Sequence, residues 1–404
     1  MLILILSFLS LSGFSLLLYK NYQLALSLFP ALLPSYLIRL SIFGLPSTLL
    51  ELLIVTLILF AIALHRDQLF SIKKLSPIDI LALAALVIGI ISTLVAPNIF
   101  SALGIYRAYI LQPIIIFFIY RQTYQTNNWL DLAKFLGLTA SLISFFAIYQ
   151  LAFNFALPIP WDIDLRATSI FPYPNALGLF LAPVFFLNLF AYLESKKLLY
   201  SAYAFLSIVG IFLAETEAGI GAIIVTIAVM AMVFHQKNIV KTLTFIASLA
   251  LATLLLIIPF TRQKILFTET SGQVRLSQWS ETIDLLKDRP FFGSGLSGYP
   301  EIFANYHRDL QFEIFQYPHN IFLNFWTEFG LFGLFWLILL VIFILTKFSF
   351  KSNLQLALFA IFCSTFIHGL VDVPYFKNDL AVFIWVLVAI FLADSHLQQG
   401  QKQH

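Results

Sequence analysis

The sequence predicts an all-α, polytopic membrane helix bundle of about 12–13 spans with one long extracytoplasmic loop. Three observations carry that expectation. Of the 404 residues 60% are hydrophobic and only 11% charged, against about 25% charged in a soluble domain, and the mean hydropathy is +0.93. Apolar stretches near 20 residues recur along the whole chain, the length at which a helix crosses a hydrocarbon layer with its backbone bonded internally. These runs are continuous, whereas the strands of a membrane barrel alternate polar and apolar residues. A net charge of +3, with the basic residues gathered at helix ends, points to no nucleic-acid partner.

The chain reads as a single membrane domain, 1–404. The expected spans fall roughly at 1–18, 24–43, 45–65, 76–97, 101–120, 129–154, 176–193, 198–213, 218–235, 238–260, 319–346, 352–370 and 380–393. The first resembles the apolar core of a signal peptide, but it has no basic start. With so many spans behind it, it is read as a retained helix. The second contains Pro30, Pro34 and Arg39. Residues 20–43 are therefore expected as a span or as a broken, interfacial element, and the total as 12 or 13.

Basic residues orient such a bundle. Arg66, Lys73 and Lys74 share one connection. Arg121 and Lys134, Lys196 and Lys197, Lys237 and Lys241, and Lys347 and Lys351 follow at the same parity. These connections, and the C-terminus, are expected on the cytoplasmic side. The alternate connections 98–100, 155–175, 214–217 and 371–379 are poor in Lys and Arg. The long loop 261–318 has their parity and is expected outside, its basic residues offset by Glu269, Glu281, Asp284, Asp288, Glu301, Asp309 and Glu313.

Within the loop, RLSQWSETIDLLK (275–287) places Trp279, Ile283 and Leu286 on one helical face, with Arg275 one turn earlier. Pro290 ends the pattern. This predicts an amphipathic helix on or near the outer membrane face. Arg275 is either a planar fork for phosphate oxygens or an interfacial side chain snorkelling to the headgroups. Gly293, Gly295 and Gly298 match GxGxxG in form, but that motif needs a strand before it and a helix after it in a soluble βαβ unit. A turn back towards the membrane is the expectation. His319 and Asn320 then open a long apolar helix that carries Asn324, Thr327 and Glu328. His319 is a boundary residue of structural use or a group that exchanges a proton near neutral pH, at a helix start that favours anions.

Other polar residues stand at the same expected side. Arg107 lies inside a span and needs a partner or an aqueous cavity. Asp162, Asp164, Arg166 and Asn175 edge one helix, Glu215 and Glu217 occupy a short turn, and His368, Asp372, Lys377 and Asp379 occupy another connection. The carboxylates are scattered and neither HExxH nor a cysteine cluster is present, so no metal and no cofactor is expected. Cys363, the single cysteine, reads as a small buried hydrophobe. An outward cavity with Arg and His suits a phosphate-bearing, lipid-linked substrate and group transfer. The rival is a lipid-linked glycan transporter or flippase, which needs a polar path to the cytoplasmic face and repeated halves.

Three motifs resemble the O-antigen ligase and polymerase family of bacterial envelope glycan enzymes. R-x-x-x-W with P-x-x-G-x-G is met by Arg275, Trp279, Pro290, Gly293 and Gly295. H-N-x-x-L-x-x-x-x-E-x-G-x-x-G is met by His319, Asn320, Leu323, Glu328, Gly330 and Gly333. R…P-N-x-x-G is met by Arg166, Pro174, Asn175 and Gly178. The signature region corresponds to about 205–345. The resemblance implies a multi-pass protein of the bacterial inner (plasma) membrane. It implies a polyprenyl-diphosphate-linked glycan as donor and a saccharide, lipid-core or protein acceptor, with membrane lipid around the site and neither metal nor nucleotide in the reaction. It also implies that Arg275 holds diphosphate and that His319 assists the acceptor hydroxyl. Arg166, Arg107, Asn320 and Asp372 are the further candidates for binding substrate. The chain departs from the family at AETEAGIGA, where Glu217 stands at the place of a family arginine. Arg107 or Arg166 is then the candidate for the missing charge, and ligation and polymerisation both stay open.

Overall fold

The computed structural model describes residues 2–42, 44–70, 75–234, 262–264 and 266–400. The expected span 238–260, the basic residues Lys73, Lys74, Lys237 and Lys241, and the loop's first residue, Thr261, lie outside the described residues. The helices are α1 (Leu2–Lys20), α2 (Tyr22–Leu28), α3 (Leu49–Leu69), α4 (Pro77–Leu94), α5 (Ile99–Tyr106), α6 (Gln112–Thr123), α7 (Trp129–Phe153), α8 (Pro174–Ser195), α9 (Leu198–Leu213), α10 (Glu217–Phe234), α11 (Thr270–Asp288), α12 (Tyr299–Phe303), α13 (Ile321–Lys347), α14 (Asn353–Gly369) and α15 (Asn378–Gly400). A π-helical turn, Arg107–Leu111, joins α5 to α6. Among the described residues, seven helical segments are long and apolar enough to cross a membrane, and shorter apolar helices cover Leu4–Lys20, Leu198–Leu213 and Asn353–Gly369. The fold is an all-α polytopic bundle. The strands among the described residues form one hairpin, β1 (Arg39–Ile42) and β2 (Leu45–Thr48).

Of the two expectations for residues 20–43, the structure shows the broken element. Pro30 and Pro34 lack the N–H that an α-helix needs, and the chain tightens after α2 into a 3-10 helix, Phe29–Leu37. Seven residues of α-helix and nine of 3-10 helix rise about 28 Å at roughly 1.5 and 2.0 Å per residue, near the hydrocarbon thickness of about 30 Å. The segment is buried at Leu26, Phe29 and Leu33. Arg39 leaves it for the hairpin.

The connections form two groups, each with its own contacts. In one group, Gln23 Nε2 donates to Thr123 O and Arg121 pairs with Asp79. Tyr200 donates to Leu130 O and Asn353 to Glu194. In the other group, residues 166–167 bond to 213–215, Asn175 to Asp372, and Asn320 to Leu370. The glycine turn of the long loop belongs to this second group, because Leu296 N donates to Ser92 O at the end of α4. Polar groups at bundle depth must be satisfied internally, and two helix starts do so twice over. Glu51 caps α3 by accepting Thr48 N and also pairs with Arg107 at 2.7 Å. Asp79 caps α4 by accepting Ser76 N and also binds Arg121. Both arginines come from the α5–α6 segment, which is thereby held to α3 at one end and to α4 at the other.

The loop helix α11 exists where the pattern placed it, but its packed face differs. Gln278, Glu281, Thr282, Leu285 and Leu286 are buried, while Ile283 is 45% exposed. The polar members of the buried face are bonded to the rest of the loop. Gln278 Nε2 donates to Tyr317 O, Thr282 shares a hydrogen bond with Tyr299, and Glu281 accepts from Arg308 N and Asp309 N. The following glycines form the expected turn, which wedges into a kink of α13. Gly330 has φ 68 and ψ −168, and Ser294 N donates to Thr327 O, a carbonyl close to the kink. A Cβ at Gly293 or Gly330 would overlap the carbonyls of Thr327 or Phe291, so only glycine permits this approach. Buried Glu328 accepts Ser297 N at 2.8 Å and fixes the turn from below.

The segment after α12 is tied to α11 by His307, whose Nδ1 lies 3.0 Å from Glu281 Oε2 and whose Nε2 lies 3.0 Å from Phe312 O. The bond to Glu281 raises the His307 imidazole above its ordinary value against the opposing effect of burial. Burial works to raise the Glu281 carboxyl, but the N–H groups of Arg308 and Asp309 and the His307 bond bring it below its ordinary value. A raised histidine contributes stability below its unfolded value of about 6.5 and loses it as pH rises through the folded value. A lowered glutamate contributes above its unfolded value of about 4.3 and loses it as pH falls. Protection of the amides in 305–317 relative to their intrinsic exchange is therefore greatest between those values and falls on either side, and His307→Gln removes the alkaline fall. Wild-type protection that does not fall on the alkaline side contradicts this tie.

Candidate functional site

The site is built where α8, α13 and α14 end among the second group of connections. Asp372, 4% exposed, is its centre. Its Oδ1 accepts Val373 N at 2.7 Å and lies 3.4 Å from His319 Nδ1. Its Oδ2 accepts Asn175 Nδ2 at 2.9 Å and lies 3.8 Å from His368 Nε2. Burial works to raise this carboxyl. Contact with His319, and the charges of His319, Lys377 and His368, outweigh it and hold Asp372 well below the ordinary carboxylate range. The site thus contains a buried carboxylate ringed by nitrogen donors.

His319 is placed by its neighbours rather than by its own backbone preference. Its φ is +47, an αL geometry uncommon for a residue with a side chain. Trp279 Nε1 donates to Pro318 O at 2.6 Å, just before it. Asn320, just after it, caps α13 through Oδ1 to Phe322 N and Leu323 N, and donates Nδ2 to Leu370 O at 2.9 Å. Strain of this kind persists where the surroundings over-determine it. Asn320, expected as a substrate ligand, has its side chain spent on these structural bonds.

Arg275 stands on α11, half-buried, with Nη1 donating to Ser271 Oγ at 2.9 Å and Nε lacking a partner. It is close enough for its charge to act on Arg166 and His368. Arg166 donates Nε to Ala214 O and Nη2 to Glu215 O, both at 3.2 Å, and lies 5.0 Å over the Trp161 ring. Burial lowers the Arg166 guanidinium from its ordinary value, Arg275 adds to this, and Glu215 and Asp164 oppose it. Arg107 is placed elsewhere. Its partner is Glu51, and none of the described contacts joins it to the Asp372 group. Glu217 pairs with Lys264.

His319, Asp372, Arg275 and Arg166 are therefore brought together, while Arg107 and Asn320 serve the frame. The structure adds His368 and Asn175 to the site. His368 and Asp372 stand four residues apart, the one signal in the sequence that links them. Nothing local links Asn175 to Asp372, which lie 197 residues apart. His319 Nδ1 and His368 Nε2 face Asp372 at 3.4 and 3.8 Å without a full hydrogen bond, while Arg275 Nε is buried without a hydrogen-bond partner. An arginine fork with an open donor suits an anion with several oxygens. No group of His, Cys, Asp and Glu that could hold a metal ion is present among the described residues.

No match to the chain is found among curated proteins. Residues 202–338 match the family model described as O-antigen ligase. That region runs from within α9 through α13, and contains Arg275, the glycine turn and His319. The chain is thus a helical bundle with several segments apolar enough to cross a membrane, and its residues 202–338 are similar to the O-antigen ligase family.

Proposed function

We propose that the protein transfers a glycan from a polyprenyl-diphosphate donor to an acceptor hydroxyl at the extracytoplasmic face of a bacterial plasma membrane. The observation that carries the reading is the approach of His319 and His368 to one buried carboxylate, with Arg275 close enough for its charge to act on His368 and on Arg166. Arg275 and Arg166 hold the diphosphate oxygens, with His368 beside them. Arg166 rests on the carbonyls of residues 214 and 215, next to Glu217, and so supplies charge where the family arginine is missing. Asp372 orients His319 from its Nδ1 side. His319 Nε2 then accepts the proton of the acceptor hydroxyl as its oxygen bonds to the anomeric carbon. The bond from that carbon to the phosphate oxygen breaks, its electron pair leaves with the polyprenyl diphosphate, and the arginines stabilise the developing charge. Ligation and repeat-unit polymerisation share this step and differ in the acceptor.

Leu177, Phe180, Leu181, Val184, Phe186 and Leu187 of α8 are fully buried. This apolar packing supports transfer over translocation, for which a polar path must continue inward.

Three outcomes follow from this reading. With Cys363 replaced by serine, a cysteine at Glu301 reacts with an impermeant thiol reagent in intact cells and one at Lys196 does not; the reverse pattern overturns the orientation. Arg275→Lys keeps the charge but loses the planar fork, and donor affinity falls about tenfold or more. Wild-type affinity in that variant contradicts the diphosphate contact. His319→Ala lowers turnover about 10²-fold or more, and Asp372→Asn lowers kcat while donor affinity persists. Full turnover in both variants removes the acid–base role, and donor translocation without any acceptor-dependent release of polyprenyl diphosphate replaces transfer by transport.

A further inference from the structure

Beside the His319–Asp372 pair lies a second set of polar groups that the transfer step does not use. Lys377 and Asp379 stand two residues apart where the chain enters α15. Lys377 Nζ is buried without a hydrogen-bond partner among the described residues, and so is Asp379 Oδ1. Asp379 is 2% exposed. The two act on one another electrostatically and Asp379 also takes backbone N–H bonds, yet one buried donor atom and one buried acceptor atom are left without a hydrogen bond, which is costly.

The walls around them are aromatic. Lys377 Nζ lies 4.4 Å from the centre of the Tyr173 ring. Tyr109 and Tyr317 edge the same Phe376 ring, at 6.2 and 5.8 Å. Tyr36 reaches the group from the end of the 3-10 helix, close enough to feel Tyr109, Tyr173 and Asp379. Tyr36, Tyr109 and Tyr317 are half-buried and Tyr173 is 37% exposed, so their rings are not wholly covered by protein.

The chemistry discriminates between ligands. A second phosphate would meet the carboxylates of Asp372 and Asp379. An apolar chain would leave Lys377 and Asp379 unsatisfied. A sugar ring satisfies both, since each hydroxyl donates and accepts, and its C–H face packs on tyrosine. Ligand sites commonly combine aromatic walls with a few placed polar groups in this way.

We propose that this recess is a saccharide subsite, in which Lys377 and Asp379 bind hydroxyls of a sugar ring that lies against Tyr173 and its neighbouring tyrosines, next to His319. The inference rests on the glycan-transfer reading and names where that glycan's or the acceptor's sugar sits. The test uses the full-length protein in nanodiscs. Affinity is measured for undecaprenyl diphosphate and for the same lipid bearing one sugar, and KM is measured for the acceptor. Asp379→Asn keeps the shape of the side chain, and Tyr173→Ala removes the exposed ring. If the donor's sugar occupies the recess, both variants lose affinity for the glycosylated lipid by about tenfold and bind the bare lipid as before. If the acceptor's sugar does, both lipids bind as before and the acceptor KM rises about tenfold at unchanged kcat. Either result supports the subsite and identifies its source. Unchanged affinities together with an unchanged KM in both variants overturn it. Failure of the wild-type protein to bind either lipid overturns the transfer reading, and this one with it.

Discussion

A buried carboxylate at the end of a membrane bundle is the constraint around which the rest is arranged. Removing Asp372 from water costs several kcal/mol unless its oxygens are met by donors. Four segments supply or direct them: Asn175 from α8, His319 ahead of α13, His368 from α14, and the backbone of Val373. Helices distant in sequence therefore converge at one end of the bundle. The same contacts leave His319 Nδ1 and His368 Nε2 facing the carboxylate without a full hydrogen bond.

The long loop is a structural extension of the bundle rather than a free segment. Its helix buries glutamine, glutamate and threonine against loop backbone, and so can turn Ile283 outward. Its glycine turn enters the kink of α13 and is anchored by Glu328 and by Ser92, which donates to Glu328 O. Because Trp279 holds Pro318, the position of α11 is transmitted directly to His319. Arg275 and His319 are thereby linked through Trp279 and the Pro318 carbonyl.

The charge pattern and the contacts of the connections agree with one another. Basic connections bond to basic connections, and the poorly basic ones gather around Asp372. Arg107 shows the limit of the argument from cost. A charge within a span needs a partner or a wet cavity, and both answers were open until Glu51, already committed to capping α3, was found to be that partner.

The sequence by itself determined the class of fold, most helix positions, and the identity of His319, Arg275, Arg166 and Asp372 as candidates, because bilayer thickness, helix geometry and the cost of buried charge act on short windows of residues. It also located the glycine turn and the departure at Glu217. Only the tertiary structure decided that residues 22–37 form α-helix followed by 3-10 helix, that α11 buries a polar face, that Asn320 is a cap, and that Asn175 and His368 join Asp372 while Arg107 does not. Each of those outcomes depends on which partners meet a polar group, and partners separated by scores of residues leave no periodicity in the chain.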